Sequence, residues 1–403
     1  MTSYNDTDHP EDDHSDIMYP SVLPFLLVHF ACFAAIWTGV TLTSVIIAVS
    51  FYWIRMFAIG GGYHRYFSHR SYKTSRTFQF IMAFMAQTTT QKSIIWWAAK
   101  HRHHHRHSDT DLDVHSPVRR SFIYSHMGWI FDRKHDNNAF DLATVQDLTK
   151  YPELMFLHRY EQIPALVAVA ACFLIGGWPG LVVGFFWSTV AVYHATFCIN
   201  SLAHVHGSKR YVTGDESRNN AILAFFTMGE GWHNNHHAYQ YSVRQGFKWW
   251  EWDPTYYCLK GLEKLGVVWD LKSPPSAVLA NEQMLPPRVI ERSAERLAAS
   301  FSVEAIARSV QEAYAASPSM GDLRTRIMEA QQALSAQANE RFANVHMPDI
   351  NWPQLPAVPS VDDMRQNARA LFVATPSMDQ IVARAHQMVI ESVWGKLGVK
   401  RMG

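Results

Sequence analysis

Only four cysteines occur in the 403 residues, Cys32, Cys172, Cys198 and Cys258, and three of them sit in apolar stretches where a free thiol packs as a small hydrophobe. Their scatter excludes a disulfide framework and a cysteine-based zinc knuckle. Surplus charge is also missing. With 36 Lys and Arg against 35 Asp and Glu the formal charge is +1, so the electrostatic footprint of a nucleic-acid-binding chain is absent. The first twenty residues hold several Asp and Glu but no Lys or Arg, and the apolar run after them has no small-residue cleavage site. That argues against a cleavable signal peptide and for a cytosolic N-terminus.

What is plentiful is apolar surface: 48% of the residues are hydrophobic and 13% aromatic, concentrated between about residues 20 and 197, while the C-terminal third is polar and Ala-rich. Runs 21–38 and 41–59 are each about long enough to cross a bilayer and are joined by a short turn at Gly39. A second pair, 163–177 and 181–199, is broken at Gly176-Gly177-Trp178-Pro179-Gly180, a strong turn signal. Two hairpins that begin and end on one side follow. Arg55, Arg65, Arg70, Lys73, Arg76, Lys92 and Lys100 crowd the segment between them, whereas the tight turns carry no cation, so both termini and the middle are expected in the cytosol. The competing reading is a soluble protein with buried helices, because 163–177 is short and contains Pro164.

Twenty-two histidines are present, and three clusters stand out: H-R-Y-F-S-H from His64 to His69, H-R-H-H-H from His101 to His105, and H-N-N-H-H from His233 to His237. Neutral imidazole is a preferred ligand of first-row transition metals, and eight such groups, counted without His103, exceed the need of one ion, so a metal pair is expected. His101, His104 and His105 stand at i, i+3 and i+4 and share a helical face; His233, His236 and His237 repeat the spacing. His64 and His69 are about 140° apart on an ideal helix, so either the helix ends or bends there or the two reach different ions. A single His-rich tract is weak evidence, being often a solvated basic segment; three clusters are harder to dismiss. His29 and His194, on apolar faces, read as packing residues.

These elements resemble the integral-membrane fatty acid desaturases, most closely the acyl-CoA Δ9 (stearoyl-CoA type) members. The likeness rests on the three clusters in their order, on S-H-M-G-W at 125–129, N-S-L-A-H at 200–204 and G-E-G-W-H-N-N-H-H at 229–237, and spans about residues 20–270. It implies a ninth ligand, His204, and Asn200 as holder of a metal-bound water; an i, i+4 pair would lie on one helical face. It assigns no metal role to His103, and His107, His115 and His126 read as outer or surface residues. The implied cofactor is two Fe2+ ions, since nine nitrogens exceed two tetrahedral zinc shells and breaking an unactivated C–H bond needs a redox metal and O2. Glu230 and His233 give one E-x-x-H match of the soluble diiron type but the second is missing, so Glu230, with Asp109, Asp111 and Asp113, is expected to orient ligand imidazoles. Gln91 and Trp97 match positions lining the bend of the acyl tunnel, and Trp96, Trp129 and Trp187 add aromatic surface. Arg119 and Arg120 match a basic pair that meets a CoA or carrier head group, although Ala99-Lys100 replaces the Arg-Asp pair of the animal enzymes, which puts CoA as carrier in doubt.

The expected protein is therefore all-α and membrane-integral, with four transmembrane helices in two hairpins and a cytosolic helical cap carrying the dimetal site. Three regions are expected: an acidic, disordered segment 1–19, a membrane desaturase domain 20–270, and a helical cytosolic extension 271–403 with amphipathic patterns at 287–316, 322–345, 361–373 and 378–397. The extension lacks a His-Pro-Gly-Gly haem motif, so a separate electron donor of ferredoxin, cytochrome b5 or reductase type is expected. The activity implied is O2-dependent cis desaturation of a saturated fatty acyl-CoA, with acyl carrier protein or lipid ester as other carriers, in a bacterial inner membrane among membrane lipids. A histidine-box hydroxylase or alkane monooxygenase is the second reading. A metal-ion transporter is the third, but it predicts polar ligands within the spans, which offer little beyond His29 and His194.

Overall fold

The computed structural model describes residues 22–132, 142–315, 359–371 and 375–397; the expected segment 1–19 and the pattern at 322–345 lie outside them. Helices dominate. Among the described residues the one sheet is an antiparallel pair, Lys73–Thr74 with Val268–Trp269.

The first apolar run forms a helix over Leu23–Thr38 that tightens to 3-10 geometry at Cys32–Ala34 and ends at Gly39, whose φ of 72° suits the turn. Thr41 restarts the chain: its hydroxyl accepts from Ser44 N at 3.1 Å while Ser44 Oγ accepts from Thr41 N at 3.0 Å, a capping box. The helix then does not stop at the expected residue 59. It widens into a π-helix over Ala58–Ser68, so the apolar rod runs from Leu42 to Ser68. In the second region Gly177, at φ 61° and ψ −150°, kinks the chain within Ile163–Pro179, just ahead of the π-helical Gly180–Trp187, which continues as Ser188–Asn200. Ala168 and Cys172 consequently pack against Phe185. A methyl group at Gly184 would lie 2.7 Å from Ile47 Cγ2, so the Leu42–Phe57 helix is in close contact with this arm.

Leu42–Ser68 and Ile163–His204 are long and apolar enough to cross a membrane, and Leu23–Thr38 is a shorter apolar helix. Large apolar side chains beside both turns face outward, Trp37 and Leu174 each 81% exposed. The buried core lies instead toward the other end of the rod, where Tyr63, Phe67, Met82, Ile94, Ile95 and Leu157 enclose the start of Ile94–His107.

The chain forms two compact units. One runs to Pro275 but omits Lys209–Asp215; the other is that short segment together with the chain from Ser276. In the second unit the pattern expected as one segment at 287–316 is two helices, Pro287–Ala299 and Val303–Ala315, which are separated at 300–302. Val361–Leu371 and Met378–Lys396 complete it around Leu297, Ile306, Met364, Ile381 and Val389, so the unit has an apolar core of its own.

Gly177 adopts a backbone conformation essentially reserved for glycine, at a cost of about 1–3 kcal/mol for other residues. Gly177→Ala is expected to lower the thermal unfolding temperature in detergent. Gly261→Ala, in the helix Pro254–Lys264 with nothing within 4 Å of the added methyl, is expected to leave it unchanged or raise it.

Candidate metal centre

The π-helical stretch resolves the spacing problem of the first cluster. Its i→i+5 hydrogen bonds, such as His69 N to His64 O at 3.2 Å, widen the turn so that residues five apart share a face, and the two rings lie 4.9 Å apart. Gly60 is required here for room, since a methyl group would lie 2.6 Å from Glu230 Oε1.

The second cluster rides on Ile94–His107, whose start is capped by Ser93 Oγ accepting from Trp96 N at 3.2 Å; the third is on the short helix His233–Ala238. These helices divide their ligands. His64, His69, His101, His105 and His236 form one group and His104, His204, His233 and His237 another, and within each group the ligand atoms lie within 4.8 Å of one another. In the five-membered group the Nε2 atoms converge: His64 to His236 at 2.9 Å, His69 to His101 at 2.8 Å, His101 to His105 at 2.9 Å and His105 to His236 at 3.0 Å. In the other, His204 Nε2 faces His233 Nε2 at 3.1 Å.

Three carboxylates stand behind three of these rings. Glu230 meets His64 Nδ1, Asp113 meets His104 Nδ1 at 2.9 Å, and Asp109 meets His204 Nδ1 at 2.9 Å. Each carboxylate accepts a hydrogen bond from Nδ1–H, which leaves the lone pair on Nε2, aimed into its group. Burial, reinforced by repulsion from neighbouring rings, holds His69, His101, His105, His233 and His236 well below the usual histidine range, so they stay neutral. Burial alone would raise the Glu230 carboxyl, but Arg65 and His64 bring it down to about 2. Lone pairs of buried neutral imidazoles facing one another repel unless a cation lies between them. The donor set therefore fits metal ions.

His204 does not share a helical face with Asn200, as the i, i+4 spacing suggested: the helix ends at Asn200 and His204 belongs to the 3-10 turn Leu202–His204. The Asn200 carbonyl accepts from Ser125 Oγ at 3.0 Å. Asp111 is exposed and pairs with Arg119 at 3.6 Å, so it orients no ligand, contrary to expectation. Arg119 and Arg120 are exposed, the latter over the Tyr124 ring at 5.4 Å. His103 lies outside both groups, bonded to the Leu112 carbonyl at 2.8 Å and near the His107 ring. His115 packs 4.5 Å from the His104 ring and is buried rather than superficial. His29 and His194 do pair, at 3.1 Å, and His194 continues to His126 at 2.9 Å. Gln91 donates to Thr196 Oγ1 at 3.1 Å, and Trp97 stacks on Tyr63 and on His101, with centroids 5.2 and 4.8 Å away. Trp96 stacks on Trp129, whereas Trp187 is exposed, its indole N–H on the Cys32 carbonyl.

Sequence reasoning missed the frame around the rings. Arg65, fully buried, donates to Glu230 at 2.8 Å, Asp253 at 3.1 Å and the Val243 carbonyl at 2.6 Å. Asn235, between the third-cluster ligands, bonds Asn219, Glu251 and the Gln245 carbonyl. Both lie inside the histidine motifs, and that position was the available signal.

Residues 22–266 match the fatty acid desaturase family. The chain belongs to that family. It is therefore a desaturase-family enzyme, and the family is membrane-associated. It is 36% identical over 242 residues to acyl-CoA 5-desaturase AL21 of Anemone leveillei, covering 60% of this chain and 73% of the relative. It is likewise 36% identical to the sn-1 stearoyl-lipid 9-desaturase of Anabaena variabilis, over 64% of this chain and 94% of the relative. To the palmitoyl-monogalactosyldiacylglycerol delta-7 desaturase of Arabidopsis thaliana it is 37% identical, over 53% of this chain and 58% of the relative.

Removing an outer carboxylate that orients a ligand costs about 10–100-fold in metal affinity. Glu230→Gln, which keeps the shape but weakens the hold on His64, is expected to bind metal more weakly by that factor in a chelator competition followed by metal analysis. His103→Ala is expected to retain the full metal content.

Proposed function

We propose that the chain is an O2-dependent acyl desaturase that introduces a cis double bond, at Δ9, into a saturated fatty acyl-CoA. The carrying observation is the division of nine imidazoles into a group of five and a group of four, sharing helices and backed by carboxylates. His64, His69, His101, His105 and His236 would hold one ferrous ion, and His104, His204, His233 and His237 the other, with Asn200 supporting the second through water. When bound, the pair supplies the oxidising power: two C–H bonds break, one C=C bond forms, and O2 takes those two hydrogens with two electrons and two protons to give two waters.

The chain's own residues hold the substrate and exclude water. Trp97, stacked beside His101, and Gln91, tied to Thr196, would line the bend of an acyl tunnel, and Arg119 and Arg120 would offer cations to a phosphate-bearing head group. The relatives include both acyl-CoA and lipid desaturases, which makes a lipid ester the alternative carrier to acyl-CoA. Four crossings at 21–38, 41–59, 163–177 and 181–199, with both termini and the site cytosolic, are supported by the outward apolar side chains beside Gly39 and Gly177. Electrons come from a separate donor, consistent with the lack of a haem motif in the sequence.

Expression in a host lacking unsaturated-lipid synthesis is expected to yield a new cis-monounsaturated fatty acid by gas chromatography. Pulse-labelling is expected to show it first in the acyl-CoA pool. Appearance first in intact lipid would shift the carrier to a lipid ester, and a hydroxy acid instead of an alkene would overturn desaturation in favour of hydroxylation.

A further inference from the structure

The corner at 88–93 joins the helix Arg76–Gln87 to the ligand-bearing helix Ile94–His107, and it is strained. Thr90 (φ 58°) and Lys92 (φ 70°) both stand in the left-handed region, which is a real outlier for a β-branched residue. Such strain persists only where the surroundings over-determine it.

Here they do. Buried Arg55 donates from one terminal nitrogen to the Thr88 carbonyl at 3.3 Å and to Thr189 Oγ1 at 2.8 Å, from the other to Ser188 Oγ, and from Nε to the Phe51 carbonyl at 3.3 Å. The Thr90 and Tyr193 hydroxyls bond each other, Gln91 holds Thr196, and Tyr63 donates to the Lys92 carbonyl at 2.5 Å. Thr189, Tyr193 and Thr196 follow at i, i+4 and i+7, one stripe along Ser188–Asn200, so this stripe grips the corner at successive points. Among the described residues no carboxylate pairs with Arg55; only carbonyls, hydroxyls and the faces of Phe51 and Phe185 meet it. A guanidinium kept in an apolar rod on neutral acceptors alone is costly to fold in, which points to a geometric role.

The geometry fixed is that between corner and metal. Trp97, one turn into the next helix, is i, i+4 to His101 and stacks on that ring and on Tyr63, so any movement of the corner shifts Gln91 relative to Trp97 and the histidines beyond it. We infer that Arg55, with Thr90 and Tyr193, is a clamp that sets which methylene pair of the acyl chain lies beside the metals, making Arg55 a positioning residue for double-bond placement. The inference rests on the desaturase reading of the same site.

The test uses the full-length protein in the host described above, with double-bond positions read by mass spectrometry of dimethyl disulfide adducts and iron measured on purified protein. Wild type is expected to give one positional isomer. Arg55→Lys, Tyr193→Phe and Thr90→Gly are expected to raise the share of neighbouring isomers at least fivefold with iron content unchanged. Glycine accepts the φ of residue 90, so Thr90→Gly keeps the fold while releasing the hydroxyl tie, and it decides the matter if the Arg55 variant fails to accumulate. Variants that lose yield but keep both isomer and chain-length preference would overturn the clamp alone. A wild-type protein that makes no alkene would overturn the desaturase reading and this inference with it.

Discussion

Two imidazoles five residues apart must face one point, and an ordinary α-helical turn does not allow it. The chain meets this constraint by widening the helix at Ala58–Ser68, and the rest of the site is built around that choice. Because the wide turn continues an apolar rod that begins at Leu42, the position of His64 and His69 is tied to the packing of that rod on Gly180–Trp187. The same stretch brings Gly60 against Glu230 and lets Arg65 reach Glu230 and Asp253, so one helical irregularity aligns two ligands and the ion-pair network behind them.

Charge explains why that network exists. If each group holds a divalent ion, as proposed, imidazole ligands would offset none of its charge, and a buried uncompensated charge is expensive. Glu230, Asp113 and Asp109 place negative charge one hydrogen bond behind the rings of His64, His104 and His204, so that with cations bound the region as a whole would be compensated. Arg65 then prevents Glu230 from being a lone buried anion, and Asp253 does the same for Arg65. Outer residues of this kind determine which ring nitrogen carries the proton, and hence which points at the ion.

Helical spacing made much of this legible beforehand. His101, His104 and His105, like His233, His236 and His237, follow a period that the structure reproduces, and the backbone takes positive φ at Gly39 and Gly177, within the segments read as turns. The reach of the first cluster was not legible, because a π-helix carries the same residues as an α-helix and differs only in hydrogen bonding. The split of one helical face between two groups was equally hidden: His104 leaves His101 and His105 because of what packs opposite it, His204 and His237, and those neighbours are distant in sequence. Asp111 was grouped with Asp109 and Asp113 by proximity in sequence, yet the loop turns its side chain outward. Arg55 read only as one of many cytosolic-side cations, since its acceptors at Thr88, Ser188 and Thr189 come from elements far apart in the chain.

An all-imidazole ligand set has a consequence for selectivity. The described groups contain no side chain that distinguishes one methylene of a saturated chain from the next, because neighbouring methylenes offer no hydrogen bond, charge or polarity to read. On the proposed reading, discrimination among them is geometric, set by where the chain would be forced to bend and how rigidly that bend is held relative to the histidine groups. Rigidity of that kind is scarce in a loop and plentiful where a loop is fastened to packed helices. The corner at 88–93 is the described segment that joins the two requirements, being strained in backbone, fastened to two apolar helices, and continuous with the helix that carries His101, His104 and His105.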